Sequence, residues 1–136
     1  MLVLDSSLLV AALVEEEHTG FADACVRRHA ADGLAAPALL RWEFANVLAM
    51  KVRRRALAPE PARVIVAAFD DLRIAFPVDE MPLAQLLEAA MRTGLTVYDA
   101  AYLELALQLG AGLATLDRAL ASAAHAAGVV VEAPFA

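Results

Sequence analysis

Cysteine is nearly absent from this chain: among its 136 residues only Cys25 occurs, so no disulfide can form within it. A lone thiol in an apolar helical context suits a reducing compartment, and Cys25 reads as a core residue. A chain of this length buries roughly two-thirds of the surface its unfolded form exposes, enough for one domain without covalent staples. Long hydrophobic runs are missing too. Asp5 and Glu15 bracket the longest N-terminal apolar stretch, which falls short of the roughly 20 residues that a membrane span needs. That stretch begins at Met1 with no basic segment ahead of it, so it reads as a strand and helix rather than a signal peptide; the expected location is the cytoplasm, away from any membrane. Histidine is sparse, and the spacing of His18, His29 and His125 suits neither a zinc site nor histidine-based acid–base chemistry, so all three read as surface residues. Ser6 and Ser7 lack the G-x-S-x-G setting of a hydrolase nucleophile. Positive charge is scarce: the formal net charge is −6 and Lys51 is the only lysine. That balance argues against binding nucleic acid through a broad basic surface, although a carboxylate-rich metal site would invert the charge locally once loaded.

What is abundant is apolar surface. Hydrophobic residues make up 61% of the chain, above the roughly 45–50% of ordinary soluble domains. Much of it is alanine on helices, and the excess on so small a body suggests a subunit interface. Leu2-Val3-Leu4 reads as a buried strand, and Asp5-Ser6-Ser7 leads into a helix through about Val14. A charged turn, Glu15 to Thr19, starts a second helix that ends near Asp32-Gly33, before a strand at 34–37. Leu40, Phe44, Val47 and Leu48 recur at helical spacing between Leu39 and Arg55. Pro59 and Pro61 open a helix to Asp71, Ile74 to Val78 reads as a strand, and Asp79 is expected to cap the next helix, which ends at Thr93-Gly94. Tyr98 to Leu109 forms another helix, followed by a strand at Leu113 to Thr115, a helix over 118–127 and a strand at 129–131. Short apolar strands alternating with helices predict an α/β fold: a mainly parallel sheet of four to five strands, flanked by helices on both faces.

Four acids stand out in this frame. Asp5 and Asp117 each follow a strand directly, at the sheet edge where parallel folds place ligands. Each also suits the N-cap of the helix that follows. Asp99 stands three residues after Thr96, so T-x-x-D offers a capping box as the structural alternative to a ligand in the first helical turn. Glu43 has the weakest structural excuse. It lies inside a helix beside Trp42 and Phe44, where an acid facing apolar neighbours needs a partner such as a cation. Taken together, four clustered carboxylates repel unless divalent cations neutralise them, and hard oxygen ligands select Mg²⁺ or Mn²⁺. Two such ions about 4 Å apart suit phosphodiester hydrolysis.

Four segments, Leu2-Val3-Leu4-Asp5-Ser6-Ser7, Trp42 to Leu48, Tyr98 to Leu103 and Ala114 to Leu120, resemble in order and spacing the PIN-domain nucleases, specifically the VapC-type toxins of toxin–antitoxin pairs. The likeness spans essentially the whole chain, residues 1–136, as a single PIN domain. It implies a Mg²⁺- or Mn²⁺-dependent endoribonuclease in which Asp5 and Asp99 are the principal ligands, Glu43 completes the site and Asp117 serves a second ion or its waters. It also implies a homodimer, and inhibition by a cognate VapB-like antitoxin protein. Ser6 and Thr115 offer hydroxyls beside the acids, for a ligand carboxylate or a metal-bound water, or simply for capping.

On the substrate side, Arg54 lies eleven residues beyond Glu43, which on an ideal helix is about 20° around and roughly 16 Å along. Lys51, Arg53, Arg54 and Arg55 form the densest basic cluster and suit RNA phosphates, or equally the C-terminal pole of the helix dipole. Asn46, one turn from Glu43, can orient it or meet a phosphate. Arg118 beside Asp117 can neutralise substrate charge or form a surface ion pair. Trp42 and Met50 are expected in the core or an interface. Rival readings exist: a phosphatase using Asp5 would want a second acid where Ser7 stands, a receiver domain would want a lysine near the last strands, and a silent binding module would use the acids only as caps.

Overall fold

The computed structural model describes residues 1–14 and 17–135. Glu15 and Glu16, assigned above to a charged turn, lie outside the described residues. Along the chain come β1 (Leu2–Leu4), α1 (Ser6–Leu13), α2 (Thr19–His29), β2 (Leu34–Ala35), α3 (Leu39–Arg53), α4 (Pro59–Asp71), α5 (Leu83–Thr93), α6 (Val97–Leu109), β3 (Gly112–Ala114), α7 (Arg118–Ala126) and β4 (Val131–Glu132). Four helix starts have a clear local reason. Asp5 and Asp117 cap α1 and α7 through their carboxylates, Thr96 caps α6 through its hydroxyl, and Pro59 fixes the first turn of α4. Gly94 and Gly110, at φ 74° and 60°, end α5 and α6 in the left-handed conformation that glycine adopts without strain.

The strands form one parallel sheet in the order β2-β1-β3-β4. Leu2 pairs with Leu34 on one side and Gly112 on the other, Leu4 pairs with Ala114, and Ala114 pairs with Glu132. Leu2, Val3 and Leu4 are all buried. Because successive strand side chains point to opposite faces, both faces of the sheet are covered, as an all-parallel sheet requires. From β1 the chain moves outward to β2, then returns to lay β3 on the other flank of β1. The sheet therefore has its topological switch point between β1 and β3, and the crevice outside the carboxyl ends of those two strands is where such folds bind ligands.

Several expected elements differ from the structure. The strand expected over Ile74–Val78 contracts to one bridge between Ala35 and Ala75. Pro77 has no N–H to extend the ladder, and Val78 is 97% exposed. Asp79 does not cap α5. Pro82 occupies that position, because a proline disfavours helical backbone in the residue before it. The last strand lies at Val131–Glu132 rather than 129–131. Trp42, expected in the core or an interface, is not in the core but 79% exposed on the single chain, whereas nearby Phe44 is buried against Phe69 with ring centroids 5.0 Å apart.

Candidate active site

The crevice between β1 and β3 is closed by a symmetrical clasp around Asp5. Burial leaves this side chain's residue 4% exposed. Its Oδ1 accepts the Leu8 N–H at 3.0 Å and the Ser7 hydroxyl at 2.7 Å, and its Oδ2 accepts the Thr115 hydroxyl. Each hydroxyl also accepts a backbone N–H from the β3 side: Ser7 from Leu116 at 3.0 Å, Thr115 from Asp117 at 2.9 Å. The Asp5 N–H itself bonds the Ala114 carbonyl at 3.2 Å, which carries the sheet ladder one step beyond the strand. Burial, with a smaller contribution from the Asp99 charge, pushes the Asp5 carboxyl up to about 6 against the pull of the Thr115, Leu8 and Ser7 hydrogen bonds.

The other three acids reach the same crevice from three helices. Asp117 accepts the Leu120 N–H at 2.8 Å. Asp99 lies in the first turn of α6 with its own N–H bonded to Thr96 Oγ1 at 3.1 Å. The return bond of a capping box, from the Thr96 N–H to the Asp99 carboxylate, is absent among the described residues, so capping does not engage that carboxylate. Its carboxyl is raised by burial and then by the Asp117 charge. Glu43, on α3, accepts the Tyr102 hydroxyl at 2.5 Å. Tyr102 is buried; burial first and the Glu43 contact second hold its phenol far above the ordinary range, so it remains a donor. Tyr102 also feels the charges of Asp5 and Asp99, so all four acids belong to one electrostatic neighbourhood. The four are not drawn into a tight knot. Among the described residues, the only three ligand atoms of His, Cys, Asp or Glu found within 4.8 Å of one another belong to a different cluster.

Beside the clasp opens a cavity of about 580 Å³, lined among others by Ser6, Ser7, Asn46, Lys51, Arg54 and Leu116. It runs from the Ser7 and Leu116 side of the clasp to the basic end of α3. Arg53 points elsewhere: it lines a separate groove with Pro59 and Arg63, and its guanidinium meets Met50 Sδ at 3.4 Å. Arg118 also turns away, packing over the Phe135 ring at 4.3 Å beside a distinct cavity with His125.

Residues 2–126 match the PIN domain family. The chain belongs to that family. Ribonuclease VapC3 of Pyrobaculum aerophilum is 35% identical over 122 residues, covering 88% of this chain and 92% of the relative. Among solved structures, PAE2754 from Pyrobaculum aerophilum superposes with a TM-score of 0.66 at 24% identity, covering 96% of this chain and 87% of the other. FitAcB from Neisseria gonorrhoeae superposes with a TM-score of 0.67 at 21% identity, covering 96% of both chains. At these identities the two structures establish the fold alone.

In this PIN domain the capping and ligand readings of Asp5 and Asp117 prove compatible, since a carboxylate has more lone pairs than one cap consumes. The supporting hydroxyl beside Asp5 comes from Ser7 and not Ser6, which is half-buried and lines the cavity instead. Of the two apolar neighbours of Glu43 in the sequence, Trp42 is in solvent and Phe44 is buried, and Glu43 itself accepts a hydrogen bond from the Tyr102 phenol. Sequence reasoning assigned no role to Ser7 or Tyr102. Both carried a signal: Ser7 stands two residues after the capping Asp5, and Tyr102 three residues after Asp99, on the same helix face.

Proposed function

We propose that this PIN domain is a Mg²⁺- or Mn²⁺-dependent endoribonuclease and the toxin of a toxin–antitoxin pair. One observation carries the reading: at the switch-point crevice Asp5 is held buried by three hydrogen bonds while Asp99 presses negative charge upon it and Asp117 upon Asp99, in a chain 35% identical to a ribonuclease. The donor set suits such an ion. It is all carboxylate oxygen, and the charges that raise Asp5 and Asp99 are those a divalent cation would relieve. Bound there, the ion supplies a nucleophilic water at neutral pH and stabilises charge on the leaving oxygen.

The chain's own residues do the rest. Asp5 and Asp99 are the principal ligands, Glu43 completes the set, and Asp117 holds a second ion or its waters. Ser7 and Thr115 fix the Asp5 oxygens, and Tyr102 orients Glu43, so ligand directions are set before substrate arrives. Asn46, Lys51 and Arg54 line the path along which an RNA backbone would approach, contacting phosphates without reading bases. The chain acts as a homodimer through α5, where Leu83, Leu87 and Met91 repeat at helical spacing while 81%, 54% and 61% exposed. A VapB-like antitoxin restrains it in the cytoplasm.

Cleavage of RNA in Mn²⁺ is expected to vanish in Asp5→Asn or Asp99→Asn while circular dichroism is unchanged; persistent cleavage in both variants would defeat the assignment. The capping bonds of Asp5 and Asp117 favour one alternative, a silent module whose acids serve only the helices. Mg²⁺ raises the melting temperature of the nuclease by ligand linkage and leaves that of the silent module unmoved.

A further inference from the structure

Away from the acidic crevice, α2 and β4 bring together three side chains of different donor type. Cys25 and His29 stand one helical turn apart on α2, and Glu132 reaches them from β4. Cys25 is fully buried, with its Sγ 3.7 Å from Glu132 Oε1, and His29 Nε2 lies against Glu132 Oε2. Ligand atoms of the three residues lie within 4.8 Å of one another. His29, set aside above as a surface residue, is only partly exposed, and its Nε2 is shut off from solvent.

The details disfavour an ordinary ion pair. His29 Nε2 touches the carboxylate but makes no hydrogen bond of acceptable geometry among the described residues, which leaves a buried polar atom unsatisfied. Arg28 already neutralises Glu132, contacting Oε1 from an exposed position. Nor is the thiol set up as a nucleophile. Burial and then the Glu132 charge push it up to about 11, so without a cation it stays protonated.

We propose that Cys25, His29 and Glu132 form a structural site for a thiophilic divalent cation of the Zn²⁺ type, which fastens β4 to α2 with water as the fourth ligand. Thiolate, imidazole and carboxylate are the donor types that Zn²⁺ takes in proteins. Loading releases the Cys25 proton to solvent; thiolate, carboxylate and dication then sum to zero charge, and Arg28 remains as a donor to the carboxylate from outside the coordination sphere. The site has a mechanical purpose. β4 is a two-residue edge strand, and the Glu132 carbonyl accepts the Thr115 N–H at 3.1 Å, so whatever anchors Glu132 also steadies the residue that clasps Asp5.

Cobalt reports on the site without any assay of activity. The metal-stripped full-length protein, held in excess Mg²⁺ to occupy the oxygen ligands, is titrated with Co²⁺. The expected result is a thiolate-to-cobalt charge-transfer band in the near ultraviolet that saturates at about one equivalent, collapses on adding Zn²⁺, and accompanies a Zn²⁺-dependent rise in melting temperature. The band is expected to disappear in Cys25→Ser, to weaken at least tenfold in apparent affinity in His29→Gln and Glu132→Gln, and to persist in Asp5→Asn. The two glutamine variants keep the test valid if Cys25→Ser does not fold. Absence of the band in the wild-type protein overturns the proposal. So does unchanged affinity in both glutamine variants, which would mark adventitious binding by a lone thiol.

Discussion

Replacing Asp5 by asparagine is expected to make the metal-free protein more stable at neutral pH while removing its proposed activity. Burial raises this carboxyl from 3.8 to about 6, and at 1.36 kcal/mol per unit that difference corresponds to a ceiling of about 3 kcal/mol for keeping the charge inside the fold. Asparagine removes the charge. With its amide oxygen in the place of Oδ1 it still accepts from the Leu8 N–H and the Ser7 hydroxyl, and its NH₂ in the place of Oδ2 can donate to a rotated Thr115 hydroxyl, so the hydrogen-bond loss is about 1 kcal/mol. The net gain of about 1–2 kcal/mol corresponds to a Tm rise of roughly 3–8 °C for a chain of this size. Between about pH 4 and pH 6 the folded wild-type protein binds more protons than the unfolded chain. Its stability therefore falls as pH rises through that window and levels off above it. Asp5→Asn lacks this decline, so its advantage is greatest at pH 7, shrinks as pH falls through the window, and gives way below pH 4 to a wild type about 1 kcal/mol the more stable, the cost of the altered hydrogen bonds. Denaturant melts in chelator from pH 3.5 to 8 measure the difference, and saturating Mg²⁺ reverses the order by stabilising only the wild type. A metal-free Asp5→Asn that is less stable at pH 7, or one whose advantage does not change with pH, would refute the assignment of this cost to a buried charge.

Tyr102→Phe removes the donor to Glu43 while keeping the ring in the core; loss of such a support is expected to reduce metal affinity or activity roughly 10–100-fold, read as a shift in the Mn²⁺ dependence of cleavage. Arg54→Ala is expected to weaken RNA binding and lower the slope of log affinity against log salt by about 1, whereas Arg53→Ala, lining the other groove, leaves both nearly unchanged. Equal salt slopes for the two variants would show that the cavity beside the clasp is not the RNA path. On α5, Leu87→Glu places a charge in the middle of the exposed apolar stripe and is expected to convert a dimer to a monomer in sedimentation analysis, with no loss of helix content.

Features governed within a turn or two of chain were legible in the sequence. Asp5 behind Leu2-Val3-Leu4, the Thr96–Asp99 pair, Pro59 opening α4 and the glycines closing α5 and α6 all act through bonds between near neighbours, so residue type and spacing sufficed. The parallel α/β architecture followed from such pieces, because short apolar strands separated by helices leave few other arrangements. Where local signals competed, reading was less secure: Pro82 displaced Asp79 as the start of α5, and Pro77 cut a five-residue strand to a single bridge. Tertiary structure alone decided which hydroxyl serves Asp5, since Ser6 and Ser7 are equivalent in type and only the crossing of β1 by β3 selects the one that also meets Leu116. It decided too that Tyr102 holds Glu43 from 59 residues away, that consecutive arginines enter different grooves, and that Cys25 and Glu132 meet across 107 residues. Composition and periodicity specify which face of an element is buried. They do not specify its neighbour, because that depends on how the whole set of strands and helices packs at once.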